Sequence, residues 1–185
     1  MENETFQKKD YTKVSFTDCK FSDCFFEDCL FIESRFSGGE FSFCTFKNCN
    51  LSLVNFEKAR LHEVSFEGCK IVGANFHLLE KRLFSIGFKE SILQSCNFSH
   101  LKMKKMSFQG SKLCECDFKE TLLSEANFKG CDLEGTLFHQ CDLRGADFRE
   151  AIHYSIDPQA NQIKKAKFSI PDALSLLKGF DITLE

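Results

Sequence analysis

A chain of 185 residues with 43% apolar content is long enough for one domain with a continuous core. Its formal net charge of −3 is too small to require a nucleic-acid or membrane partner. The composition includes 23 Phe, no Trp, 2 Tyr, 2 Pro and 11 Cys, a skew that excludes ordinary globular usage and points to a repeat that selects Phe.

Residues 1–13 lack the apolar core of a signal peptide, and no segment approaches the roughly 20 apolar residues of a membrane helix. The expectation is a soluble, cytoplasmic protein with no membrane partner, in which residues 1–13 cap the N-terminal end.

From Phe16 a large apolar residue recurs every fifth position: Phe21, Phe26, Phe31, Phe36, Phe41, Phe46, Leu51, Phe56, Leu61, Phe66, Ile71 and Phe76. The series resumes at Phe88 in a shifted register and runs through Leu93, Phe98, Met103 and Phe108 to Phe148. Two residues before each of these lies a second, mostly small residue, as at Cys19, Cys24, Cys29, Ser34, Ala59, Cys69, Ala126 and Cys131. Ten of the 11 Cys fall there, Cys114 being the exception, so their spacing reads as inward packing and not as metal or disulfide chemistry.

Two inward residues in every five fit neither a helix nor a plain strand, so the backbone must turn a corner each pentapeptide. Four such sides close a square coil of about 20 residues, and stacked coils give an all-β, right-handed quadrilateral β-helix of about 6–7 turns over residues 14–150. Asn or Asp often precedes the inward residue, as at Asn50, Asn55, Asn97, Asp117 and Asn127, where a short polar side chain bonds to turn backbone.

Runs such as Glu125-Ala126-Asn127-Phe128-Lys129 and Gly145-Ala146-Asp147-Phe148-Arg149 resemble the pentapeptide repeat family, and the layout is most similar to its Qnr-type quinolone-resistance and microcin-immunity members. That resemblance implies a homodimeric rod that binds DNA gyrase or topoisomerase IV and protects it from quinolones or a peptide toxin. After Gly73-Ala74-Asn75-Phe76, similar to the point at which Qnr-type proteins project a topoisomerase-contacting loop, the register slips by two residues. Residues 77–87 are therefore expected to bulge from a corner, exposing Leu78, Leu79, Leu83 and Phe84 beside Glu80, Lys81 and Arg82 as a contact site.

Past Phe148 the five-residue period stops, and Tyr154-Ser155-Ile156-Asp157-Pro158 reads as a turn leaving the rod. A helix is predicted over 171–178, started by Pro171 and ended at Gly179, followed by strand-like alternation from Phe180 to Leu184. This tail over 151–185 would cap the open end, and in the resembling proteins it also joins two subunits; Leu174, Leu177, Phe180, Ile182 and Leu184 are the dimerisation residues so implied.

Charge is banded along the chain: residues 14–76 carry net −3, residues 88–107 net +3 through Lys89, Lys102, Lys104 and Lys105, and residues 108–150 net −4. Glu115, Asp117, Glu120, Glu125, Asp132, Glu134, Asp142 and Asp147 form the candidate DNA-mimicking surface. His62, His77, His100, His139 and His153 lack metal-ligand spacing, and no phosphate loop or nucleophile elbow is present, so no enzyme, cofactor or small-molecule substrate is expected. Direct nucleic-acid binding is not expected either, for want of a basic stripe interleaved with aromatics. The alternative is a general interaction scaffold using outward Phe25, Leu30, Ile32, Phe43 and Leu53.

Overall fold

The computed structural model describes residues 1–82, 84–180 and 182. The chain forms a parallel β-solenoid in which residues twenty apart pair: Phe6 with Phe26, Phe26 with Phe46, and Phe46 with Phe66. The two extra residues of the slip raise the step once, so that Phe66 pairs with Phe88 and Ile71 with Leu93. Twenty-residue steps then resume, as between Leu93 and Leu113.

Each coil has four faces, named here by their inward residues. Face one carries a column of Phe6, Phe26, Phe46, Phe66, Phe88, Phe108, Phe128, Phe148 and Phe168, each ring stacked on the next at 4.7–5.3 Å. Face two carries Tyr11, Phe31, Leu51, Ile71, Leu93, Leu113 and Leu133; face three runs from Phe16 through Phe76, Phe98 and Phe118 to Phe138 and Ile156. Face four carries Phe21, Phe41, Leu61, Met103, Leu123, Leu143 and Ile163.

The corner is made by the second residue after each inward one, which adopts a left-handed backbone: φ is +56° at Asp18, +54° at Phe43, +59° at Leu53 and +53° at Glu115. Glycine is required at this site where space also runs out, as at Gly68, whose added Cβ would stand 2.6 Å from Asn48 Oδ1. Where Asn or Asp precedes the inward side chain, it fastens the turn. Asn55 Oδ1 accepts from Glu57 N at 2.8 Å, Asp117 Oδ1 from Lys119 N at 2.8 Å, and Asn127 Oδ1 from Lys129 N at 3.0 Å.

The small inward residues do more than fill space. At some corners the amide of this residue closes the turn, as Ala59 N does on Phe56 O and Ala126 N on Leu123 O. At others the side chain donates to the carbonyl of an inward residue in the preceding coil: Cys69 Sγ to Phe46 O at 3.2 Å, Ser91 Oγ to Phe66 O at 3.1 Å, Thr121 Oγ1 to Phe98 O at 3.1 Å and Thr136 Oγ1 to Leu113 O at 2.8 Å. Cys, Ser and Thr alternate here because each is a compact donor for a buried carbonyl that would otherwise cost free energy. The cysteines are free thiols, and burial pushes Cys44 and Cys141 up to about 11 and Cys131 up to about 12.

The solenoid is longer at both ends than the sequence suggests, with about 8 turns instead of 6–7. Residues 1–13 are not a cover but the first coil, with Thr5–Gln7 paired to Phe25–Glu27 and with Phe6 and Tyr11 packed on the core. At the other end Ser155–Ile156 pairs with Leu137–Phe138, and Lys167–Phe168 pairs with Asp147–Phe148. The step from Phe138 to Ile156 is eighteen residues, which hides the coil from a search at five; Asn161 then restores the register. Asn161 is buried, donates to Phe138 O at 3.0 Å and accepts from Cys141 N at 2.9 Å, doing the work of a cysteine or serine.

Replacing Phe108, fully buried between Phe88 and Phe128, should therefore break the column. Phe108→Ala is expected to lower stability by about 3–5 kcal/mol in urea unfolding monitored by far-ultraviolet circular dichroism. A change below about 1 kcal/mol would show that the ring is not packed as described.

Candidate functional site

Function on a solenoid resides on outward side chains, so the question is which of them share a face. The slip at 77–87 is a smaller feature than a projecting loop. A short 3-10 turn, Phe76–Leu78, leads into Leu79, which is 3% exposed and fills the small inward position. The ladder holds both ends: Glu80 N donates to Ala59 O at 3.0 Å, Ser85 N to Leu61 O at 2.9 Å, and Ile86 pairs with Val64. Leu79 is thus removed from the expected contact set, because the five-residue register runs on through it. Phe84 is half-buried against the core and Glu80 half-buried, while Leu78, Lys81 and Arg82 are exposed. Leu83 lies outside the described residues.

The basic middle band becomes a patch. Lys102, Lys104 and Lys105 all lie on face four, where Arg60 and Arg82 also stand; Arg60 and Arg82 line a cleft with Glu40, Ser42, His62 and Glu80. Glu40 pairs with Arg60 and Lys20, and Glu125 with Lys104 at 3.2 Å and Lys105 at 3.6 Å. A count along the chain separates these cations by up to 45 positions; a count in coils makes them neighbours.

The eight candidate acidic residues divide. Asp142 is buried and held by Arg144 at 2.8 Å, and Asp147 is held by Arg149 at 2.6 Å; the arginine hydrogen bond lowers each carboxyl pKa. Glu125 is likewise committed to Lys104 and Lys105. The other five lie on two adjoining faces: Glu115, Asp132 and Glu134 on face two, Asp117 and Glu120 on face three. Partial burial pushes the Asp132 carboxyl up, but the His153 hydrogen bond and charge, the Glu134 amide and the Lys112 charge together outweigh it and hold the group low. These five candidate carboxylates therefore share two adjoining faces and do not ring the rod.

The scaffold residues also part company. Leu30, Ile32 and Leu53 are on face two, Phe25 on face one and Phe43 on face four, so they form no single patch. Residues 1–13 do not cover them: Phe43 is 54% and Leu53 56% exposed.

At the C-terminal end the expected α-helix is a 3-10 helix, Asp172–Phe180, running past Gly179. With three residues per turn, Leu174, Leu177 and Phe180 eclipse along one ridge. Leu176 packs toward the core, whereas Leu174, Phe180 and Ile182 are about half exposed. The proposed strand from Phe180 is not seen at Phe180, which is helical, and Leu184 lies outside the described residues. The helix covers Tyr154, whose hydroxyl pKa burial raises.

Among the described residues no His, Cys, Asp and Glu cluster is placed to hold a metal, and no helix is long and apolar enough to cross a membrane.

Comparison with known proteins follows from this geometry. The family described as pentapeptide repeat region matches residues 19–86 and 81–157. Comparison with curated protein sequences found no match. Among solved structures, a trypsin-treated variant of QnrB1, a plasmid-mediated fluoroquinolone resistance protein, is similar at a TM-score of 0.80 and 15% identity, covering 100% of this chain and 98% of that chain. A second trypsin-treated QnrB1 variant has a TM-score of 0.50, 20% identity and coverage of 100% and 99%. HetL, a pentapeptide repeat protein involved in heterocyst differentiation regulation from the cyanobacterium Nostoc sp. strain PCC 7120, has a TM-score of 0.44, 14% identity and coverage of 93% and 90%. At these identities the likeness to QnrB1 establishes the fold.

The face-two acidic surface contains a titratable pair, His153 Nδ1 and Asp132 Oδ1 at 2.8 Å. The hydrogen bond to Asp132 raises the His153 pKa above its ordinary 6.5. The contribution of this pair is thus fully present just below that ordinary value, lost as pH rises through the higher folded-state value of His153, and lost again at acid pH as Asp132, itself held low, protonates. An NMR titration should place the His153 midpoint above about 6.5, and Asp132→Asn should bring it back down. A midpoint unmoved by that substitution would show that the pair does not form.

Proposed function

The chain belongs to the pentapeptide repeat family, and from that premise we propose that it is a binding rod that protects DNA gyrase or topoisomerase IV against quinolones or a peptide toxin. The observation that carries the reading is the end-to-end correspondence with a fluoroquinolone resistance protein, over 100% of this chain and 98% of that chain. The five carboxylates on faces two and three support it, because a stiff rod bearing regularly spaced negative charge suits a protein surface built to neutralise phosphates. In this account Glu115, Asp117, Glu120, Asp132 and Glu134 enter the saddle that DNA normally fills, while Leu78, Lys81 and Arg82 touch an adjoining region. The rod acts by occupying a site and carries out no chemistry of its own.

Two copies are proposed to join through the C-terminal ridge. Leu174, Phe180 and Ile182 leave apolar surface beside a cleft of about 530 Å³ lined by Tyr154, Leu177 and Lys178, and a twofold would bring the same ridge from each copy together. The full chain should sediment as a dimer, and removal of residues 171–185 should give monomer or aggregate; a full-length monomer would overturn this part.

Gyrase supercoiling and cleavage assays with a quinolone test the function. The protein at micromolar concentration should restore supercoiling and reduce drug-trapped cleavage, and replacing Glu115, Glu120 and Glu134 by Gln should weaken protection on the order of tenfold. No protection of either topoisomerase would reject the proposal.

A second reading, a scaffold for some other partner, is favoured by the exposed apolar side chains of face two, Leu30, Leu53, Ile92 and Ile152. It would be preferred if a partner were retained after replacement of the five carboxylates and lost after Leu53→Ser.

A further inference from the structure

Beside the insertion, at the corner between faces four and one, lies a cleft of about 480 Å³. Gly87 is part of its lining, opposite Ser65 in the ladder. No described residue comes within 4 Å of the position a Cβ would take on Gly87, and its backbone is not left-handed, so neither conformation nor packing among the described residues requires glycine there. Phe84 and Met106 supply apolar walls, both packed on the core. Exposed Lys102, Lys104 and Lys105 stand around the opening.

The charge around this opening is unbalanced. Lys104 and Lys105 share Glu125, while Lys102 makes no ion pair among the described residues. Among the described residues Glu63 is the one carboxylate in the lining itself. A mixed cleft with Phe84 and Met106 on its walls, open space over Gly87 and an excess of ammonium groups at its mouth fits a ligand that carries one apolar group beside anionic ones.

We propose that this cleft binds an acidic protein segment, seating one apolar side chain over Gly87 between Phe84 and Met106 and placing its carboxylates on Lys102 and its neighbours. Recognition is by side chains and not by strand addition, because Ile86–Lys89 already pairs with Val64–Glu67 and Phe88 N donates to Ser107 O at 2.8 Å. A nucleic-acid strand fits less well, since walls of Phe84 and Met106 seat an apolar side chain and a phosphate backbone has none to offer. The site is separate from the carboxylates of faces two and three, so it stands or falls independently of topoisomerase protection.

The test is fluorescence anisotropy with the full chain and three labelled probes: a short peptide of alternating Glu and Leu, the same peptide with Lys for Glu, and oligothymidylate. The Glu/Leu peptide should bind, with affinity falling as salt rises. Gly87→Val, which suits a strand and fills the pocket, should weaken it about tenfold while leaving the circular dichroism spectrum and urea midpoint unchanged or improved. Lys102→Glu, at an exposed position, should weaken it to a similar degree and decides the matter if the valine variant does not fold. Absent binding, equal binding of the Lys peptide, tighter binding of oligothymidylate, or a folded Gly87→Val protein with unchanged affinity would each overturn the proposal.

Discussion

Each inward side chain is held by its equivalents one coil before and one coil after, and the rest of the molecule follows from that repetition. On face one the contact is ring on ring, from Phe6 to Phe168. A coil has no interior partner of its own, so its apolar layer is buried only by neighbours, and stability is a property of the stack. The backbone makes the same demand: Asn50 N donates to Cys29 O and Lys70 N to Cys49 O, so every coil satisfies the amides of the next. The stack must therefore turn at each fifth residue without leaving a buried carbonyl unserved, which explains the left-handed corner and the thiol or hydroxyl donor together.

Because the interior is fixed in this way, binding chemistry is carried by the three outward side chains of every five, apart from those the turns and corners require. The surface that results is organised by face and not by stretch of chain. Glu115 and Glu134 are 19 residues apart in sequence yet bound by Glu115 N to Glu134 O at 3.0 Å. Arginine or lysine pairs with Asp142, Asp147 and Glu125 on faces one and four and with Asp132 on face two, while among the described residues Glu115, Asp117, Glu120 and Glu134 on faces two and three have no arginine or lysine partner and lysines gather at the insertion. The rod thus offers two electrostatically different sides to its surroundings.

Much of this was legible in the sequence because the five-residue spacing, the small residue two before it and the Asx turn each have one physical meaning. Phe6 and Tyr11 keep the spacing, but exposed Glu4 and Lys9 stand where a small residue is expected, so the first coil lacks the second half of the signature. The last coil escaped because Ile156 arrives early and Asn161, a longer donor, takes the cysteine position. Leu79 looked exposed when the insertion was counted from Phe76, although the register continues through it. Corner residues leave little trace, since Asp18, Glu33, Lys58 and Phe43 all adopt the same left-handed backbone. The grouping of Lys102 with Arg60 and Arg82 required the extra two residues to be placed before coils could be counted.

A crystal structure of the full chain tests the central claim most directly. The account predicts one continuous column in which Phe66, Phe88, Phe108 and Phe128 stack at about the 5 Å separations seen here, with Asn161 closing the last coil. Phenylalanine rings facing solvent, or a helical chain without the twenty-residue pairing, would contradict it.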